Sequence, residues 1–297
     1  MKRAATEQAR LAARFTKAEA EALDKARRDR EQTRLPLEAT QLDRQEAVKR
    51  LKDSRRTSAP QDTVPESQGK RAALVIGNAA YRNSPLANAV NDAVDVARIL
   101  KSRGFQVTEV LNGKLTDIRS AVRDFSDQVV DSNVALIYYS GHGVEVNGRN
   151  YLIPIDADIQ RDFEVADQGY DASQFVEMMN ALPSRTGQRV NILILDACRD
   201  NPLSRSWRSA GRGLAKMDAP TGTFIAFSTS PGQVASDGQG RNSPFTKHLI
   251  AAIQQPDQPI ELVFKSVRRA VLAETKGVQV PWENSSLVGD FYFTTSP

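Results

Sequence analysis

The single cysteine of the 297-residue chain, Cys198, stands where the apolar run of ILILDACRDNP (192–202) breaks into charge. One of the two histidines, His142, stands at the end of a similar run, VALIYYSGHG (134–143). A thiol attacks a carbonyl as the thiolate, and a neighbouring imidazole can take its proton or stabilise the ion pair. The same imidazole can then protonate a leaving amine. Glycines flank His142, so side-chain bulk is absent on both sides for a substrate backbone to approach. The backbone N–H groups of Gly143 and Cys198 would face a developing oxyanion. Taken one at a time, a cysteine after a strand reads equally well as a small buried hydrophobe, and a histidine as a hydrogen-bonded structural residue. Their joint placement at the ends of two apolar runs is what points to a His142–Cys198 pair. His248, inside FTKHLIAAI, reads as structural.

For the pair to meet across a separation of 56 positions, both runs must be parallel strands ending on one sheet edge. The surrounding pattern fits. AALVIG (72–77), FQVTEVL (105–111), VALIYYS (134–140), VNILILD (190–196) and TFIAFS (223–228) read as strands. ANAVNDAVDVARILKSRG, LTDIRSAVRDFSDQVV, SQFVEMMNAL, FTKHLIAAI and IELVFKSVRRAVLAET read as helices, and a short strand closes the chain at LVGDFYF. Strand and helix in alternation predict an α/β fold, a mainly parallel sheet with helices on both faces.

The chain divides by composition. Residues 1–56 hold 16 Lys+Arg against 10 Asp+Glu, net +6, which exceeds the +4 of the whole chain. The basicity therefore belongs to this segment, which argues against nucleic-acid binding by the rest. Leu11, Phe15, Ala18 and Ala22 share a helical face, and Pro36 interrupts any continuous helix. Residues 1–56 are thus expected to be a charged helical arm, either solvated or docked on a partner helix. Residues 57–69, within the Pro/Ser-rich RTSAPQDTVPESQG, are expected to be a flexible linker, and residues 70–297 the main domain. A lone cysteine gives no internal disulfide. No apolar span reaches membrane or signal-peptide length, so the expectation is a cytoplasmic chain with no membrane contact.

YYSGHG, ILDACRDNP and FIAFSTSPGQVASDG, in this order and spacing, resemble the caspase and metacaspase superfamily of cysteine peptidases. LVIGNAAY, NDAVDVARIL and VPWENSSLVGDFYF extend the resemblance over residues 70–297 and tilt it toward bacterial metacaspase-like (orthocaspase) members. It implies a caspase-haemoglobinase-like three-layer sandwich and a cysteine endopeptidase. Two departures from caspases reverse the charge of the specificity pocket: their glutamine two before the nucleophile is Asp196 here, and the arginine of their S-W-R segment falls on Asp237. Metacaspases share the first departure, and the resemblance carries their pocket onto Asp92, Ser140 and Asp196; their cysteine three before the helix aspartate is Ala89 here. Carboxylates in that pocket imply protein or peptide substrates with Arg or Lys before the cut. Read without the resemblance, Asp92 favours a first helical turn and Asp237 a turn.

The 199–222 connection carries Arg205, Arg208, Arg212 and Lys216. It reads either as a solvated loop or, by resemblance, as a site of self-cleavage. No cofactor or metal site is evident; calcium activation is implied by resemblance alone, since no EF-hand-like acidic run is present. The competing reading is a non-catalytic caspase-fold adaptor that recruits partners through residues 1–56. A related peptidase of different specificity is the third.

Overall fold

The computed structural model describes residues 69–185, 187–197 and 213–296. The expected arm, the linker up to residue 68, Cys198, Arg205, Arg208 and Arg212 lie outside these residues. Six strands form the main sheet in the order β2-β1-β3-β7-β8-β9. These are β1 (Arg71–Gly77), β2 (Phe105–Leu111), β3 (Val134–Ser140), β7 (Val190–Asp196), β8 (Thr223–Phe227) and β9 (Trp282–Ser285). All pairs are parallel except β8–β9. β3 and β7 are buried at every position, as parallel strands covered on both faces must be.

The helices are α1 (Ala89–Ser102), α2 (Leu115–Val130), the single turn α3 (Val165–Gln168), α4 (Ser173–Ala181), α5 (Pro244–Ile253) and α6 (Ile260–Glu274). Period-two alternation sorts the strand side chains between two cores. Ala73 and Val75 of β1 join Val96, Leu100, Phe245 and Phe264 from α1, α5 and α6. Ala72, Leu74 and Ile76 join Ile118, Phe125 and Phe175 from α2 and α4. The result is the three-layer α/β sandwich with helices on both faces.

Two features depart from the expected elements. A second, antiparallel sheet of β4 (Gly143–Val146), β5 (Arg149–Leu152) and β6 (Tyr170–Asp171) follows His142. Its hairpin turns at Asn147 and Gly148, with φ of 53° and 77°, the two positive angles a type I′ turn demands. The closing strand expected at LVGDFYF is instead β9, earlier in the chain. Tyr292 makes only an isolated bridge to Pro259, while Phe291 and Phe293 are buried edge-on against each other. The apolar alternation there plugs the core, and the polar WENS serves the sheet edge, where a strand should not invite further pairing.

Asp95, on α1, ties the segment before α5 to the sheet's helical layer. Its carboxylate receives Arg241 Nε at 2.8 Å and Nη2 at 3.1 Å, Asn242 Nδ2 at 3.1 Å and Arg98 Nη1 at 2.7 Å. Burial pushes this carboxyl up, but the bonds and charge of Arg241, with Asn242 and Arg98, outweigh it and hold the pKa below the ordinary carboxylate value. Among the described residues, no helix is long and apolar enough to cross a membrane.

Two tests follow from this packing. Phe125 is fully buried and Phe163 is 72% exposed; Phe125→Ala should cost about 3–5 kcal/mol in urea unfolding and Phe163→Ala less than about 0.5 kcal/mol. Because folding lowers the Asp95 pKa, its pairing stabilises the fold above the unfolded value of about 3.9 and is lost as pH falls through the lower folded value. Asp95→Asn should therefore lower the urea midpoint at pH 7, and the gap from the parent should narrow as pH falls below the unfolded value.

Candidate active site

The site begins with register. Gly77 of β1 lies opposite Ser140 of β3, and Ser140 opposite Asp196 of β7, so three parallel strands end on one row. Two bonds continue the ladder past it: Asn78 N–H to the Ser140 carbonyl at 2.9 Å and Gly141 N–H to the Asp196 carbonyl at 3.3 Å. His142 follows β3 by two residues, and Cys198 follows β7 by the same number, although Cys198 itself lies outside the described residues.

His142 is 6% exposed and held on several sides. Its N–H donates to Tyr81 Oη at 2.9 Å, and its carbonyl accepts from Tyr139 Oη at 2.7 Å and from Ile153 N–H at 3.0 Å. The Tyr81 ring packs on the imidazole with centroids 4.4 Å apart. Nε2 lies 2.8 Å from the Ser84 carbonyl. A carbonyl can only accept, so Nε2 carries the proton and Nδ1 is the basic nitrogen of the neutral ring. Neither Tyr81 nor Ser84 was identifiable from sequence. Tyr81 sits within LVIGNAAY without a telling motif, and Ser84 acts through its backbone, which no residue type marks.

The glycines beside His142 are also needed for packing. Both are buried. A Cβ on Gly141 would lie 2.5 Å from Tyr139 Oη and 2.7 Å from Tyr81 Oη; one on Gly143 would lie 3.0 Å from Ala197 Cβ. The missing side chains admit these protein neighbours. Gly143 also brings β4 against Ala197, the residue before Cys198. Since Ile153 bonds to His142, the next pair, Gly143 and Leu152, falls in the non-hydrogen-bonded register. The Gly143 N–H is therefore not spent on the β4–β5 ladder.

The four substrate-binding candidates separate into two groups. Asp92, Ser140 and Asp196 are fully buried. Ser140 Oγ donates to Asp92 Oδ2 at 3.2 Å. Ser243 joins the two carboxylates: its N–H donates to Asp92 Oδ1 at 3.0 Å and its hydroxyl to Asp196 Oδ2 at 2.5 Å. Thr246 Oγ1 adds a bond to the same Asp196 oxygen at 2.9 Å, and Tyr138 Oη lies 2.5 Å from Thr246 Oγ1. The Thr246 proton is already committed, so Tyr138 is the donor there. Ser243 is also the N-cap of α5, accepting from Thr246 N–H with Pro244 at the first position. That N-cap followed by proline was the one sequence signal that could have found it.

Asp237, by contrast, is half-buried. Its Oδ2 accepts from Ala87 N–H at 2.7 Å and its carbonyl from Asn88 Nδ2 at 2.5 Å. It lines a groove of about 970 Å³ together with Ser84, Leu86, His142, Pro244 and Val278. Among the described residues lining that groove, the carboxylate side chains are Asp237 and Glu274, and there is no Lys or Arg. Glu274 is engaged by Lys247 at 3.0 Å and His248 at 2.6 Å. His248 accordingly sits apart from His142, hydrogen-bonded to Glu274 at the groove rim. Lys216, at the end of the 199–222 connection, lies 5.2 Å over the Trp282 ring. The described residues include no group of three or more His, Cys, Asp or Glu that could hold a metal ion.

Ser243→Ala removes a helix cap, worth about 1 kcal/mol, and a bond to a buried carboxylate, worth about 1–3 kcal/mol. A loss of about 2–4 kcal/mol in urea unfolding is expected, with Ser243→Thr, which keeps the hydroxyl, losing much less.

Comparison with known proteins agrees with this architecture. The profile of peptidase family C14, described as the caspase domain, matches residues 70–292. The chain is 29% identical over 134 residues to mucosa-associated lymphoid tissue lymphoma translocation protein 1 of Homo sapiens, and 28% identical over 134 residues to the Mus musculus homolog. In each case 43% of this chain is covered, and only 15% of the length of the relative. The crystal structure of caspase-1 from Spodoptera frugiperda superposes with a TM-score of 0.59 at 18% identity, over 79% of this chain and 95% of that one, a likeness of fold. Over residues 70–292, three quarters of its length, the chain belongs to the caspase-domain family of peptidases.

Proposed function

We propose that the protein is a cysteine endopeptidase of the bacterial metacaspase-like type, acting in the cytoplasm and cutting protein or peptide chains after Arg or Lys. The observation that carries the reading is the Ser84 carbonyl on His142 Nε2, which makes Nδ1 the base. The Cys198 thiol gives its proton to Nδ1, and its sulfur attacks the scissile carbonyl. The oxyanion is met by the N–H groups of Gly143 and Cys198. The C–N bond breaks as the imidazolium returns the proton to the leaving amine. Water then gives a proton to Nδ1 and its oxygen to the acyl carbon, releasing the acid and the thiol.

Charge supports the specificity. Asp237 faces the groove beside His142, and Asp92 and Asp196 converge on Ser243, the neighbour of groove-lining Pro244. A guanidinium entering from the groove meets a negative wall and can bond a carboxylate in pairs. Ser140, fully buried behind this wall, donates to Asp92. The adaptor reading has no comparable observation, since the chain retains both His142 and Cys198.

Peptide reporters ending in Arg, Lys or Asp, assayed with and without calcium beside Cys198→Ala, test the proposal. Hydrolysis after Arg and Lys that disappears in Cys198→Ala is expected. No hydrolysis of either in any condition overturns the peptidase, and faster cleavage after Asp overturns the pocket. Asp196→Asn keeps the shape but removes the charge, and should lower kcat/KM for Arg reporters by at least about tenfold, with thiol alkylation rates unchanged.

A further inference from the structure

The Ser84–His142 pair borders two cavities, and the second has no role in the scheme above. It is a pocket of about 100 Å³ lined by Tyr81, Ser84, His142, Ile153, Ile155 and Ile159. Its walls belong to the small third core, where Tyr81, Ile153 and Ile159 are buried with Val144, Val146 and Val165. Charge is confined to residues that are exposed: Arg82, Asp156 and Asp158.

The pocket is built rather than incidental. Ile155 N–H donates to the Gly113 carbonyl at 3.2 Å, Leu115 N–H to Asp156 Oδ1 at 3.1 Å, and Asp158 N–H to Gln168 Oε1 at 2.8 Å. Three bonds thus fix the 153–159 wall to the start of α2 and to α3. On the opposite side, Tyr81 is fixed by its hydroxyl to Ile153 at 3.0 Å and to His142 N–H.

We propose that this pocket receives the side chain of the residue that follows the scissile bond, and that it selects an aliphatic one. The inference rests on the peptidase reading. A substrate whose basic side chain lies toward Asp237 fills the groove with its acyl half. The leaving amine must come to His142 to be protonated, so the residue bearing it lies against the imidazole. Of the two cavities that His142 lines among the described residues, the one that is not the groove is the isoleucine pocket. Its volume suits a Val- or Leu-sized side chain, and apolar walls favour such a group over a carboxylate, which would lose hydration against the isoleucines and meet Asp156 and Asp158 beside Arg82 at the rim. Glycine would leave the pocket walls uncontacted.

Internally quenched peptides identical except for the residue after Arg test it. Leu and Val should exceed Gly in kcat/KM by about tenfold, and Asp should fall below Gly. Ala157→Phe, which fills the pocket from its half-exposed rim, should bring the Leu peptide down to the Gly peptide. A second readout needs no turnover. With isoleucine δ1-methyls labelled with carbon-13, Leu-Gly-amide should shift Ile153, Ile155 and Ile159 saturably, and Gly-Gly-amide should not. Equal rates for Leu, Gly and Asp peptides with unmoved methyls overturn the pocket and leave the peptidase standing. Failure to cleave every Arg peptide overturns the peptidase and, with it, the pocket's assignment to the leaving side.

Discussion

The row formed by Gly77, Ser140 and Asp196 is the constraint on which the rest of the site depends. Parallel pairing fixes register along β1, β3 and β7, and a slip of one residue would send every side chain to the opposite face. With the register held, the turn after β3 delivers His142 just beyond the sheet edge, and the chain after β7 leaves from the neighbouring position. Groups placed there are shielded from water, so each needs a partner. Asn78 shows how this is met: fully buried at the end of β1, it donates to the Ile153 carbonyl at 3.2 Å and accepts from Gly113 N–H at 2.9 Å. One side chain thereby joins the loops after β2 and β5 to the edge on which His142 stands.

Electrostatics at the same edge are shaped by the start of α5. Buried carboxylates survive folding only with strong donors around them. Ser243 supplies two, one to Asp92 and one to Asp196, and Thr246 supplies a third. The helix N-terminus adds the positive end of its dipole on the same side. A pair of negative groups is thus stabilised from the helix side by hydroxyls, an amide and partial charge. The layer that does this is the one Asp95 clamps through Arg241 and Asn242, immediately before Ser243.

Several elements were legible from their apolar pattern, with burial complete in Val134–Ser140 and Val190–Asp196 but not in Phe105–Leu111 or Leu115–Val130. Phe105–Leu111, Val134–Ser140, Val190–Asp196 and Leu115–Val130 have the expected ends, because long apolar runs and a clear helical stripe leave little choice. The small sheet escaped because its strands are at most four residues long, although Asn147-Gly148 is a strong hairpin signal. β9 escaped because an edge strand recruited by backbone bonds has no apolar pattern to declare it. In the site, aspartates and histidine were visible by residue type. The groups that orient them were not, since Ser84 and Ile153 act through carbonyls and Ser243 through a cap that is ordinary by itself. Gly141 and Gly143 stood out by residue type, but the tyrosine hydroxyls and Ala197 packed against them are brought near only by tertiary structure.

These loops also couple two parts of the site. The 79–88 segment closes on itself through Leu86 N–H to the Ala79 carbonyl at 2.9 Å. One end holds His142 through Tyr81 and Ser84; the other is bonded to Asp237 through Ala87 and Asn88. The carboxylate of Asp237 therefore cannot be displaced without loosening the loop that fixes the imidazole tautomer. A cation arriving at Asp237 competes with the Ala87 N–H for the same carboxylate, so filling the groove and orienting His142 act on one short segment. Asp237 is both a wall of the groove and a bracket for the loop that holds the imidazole, and the two roles are not separable by substitution of that residue alone.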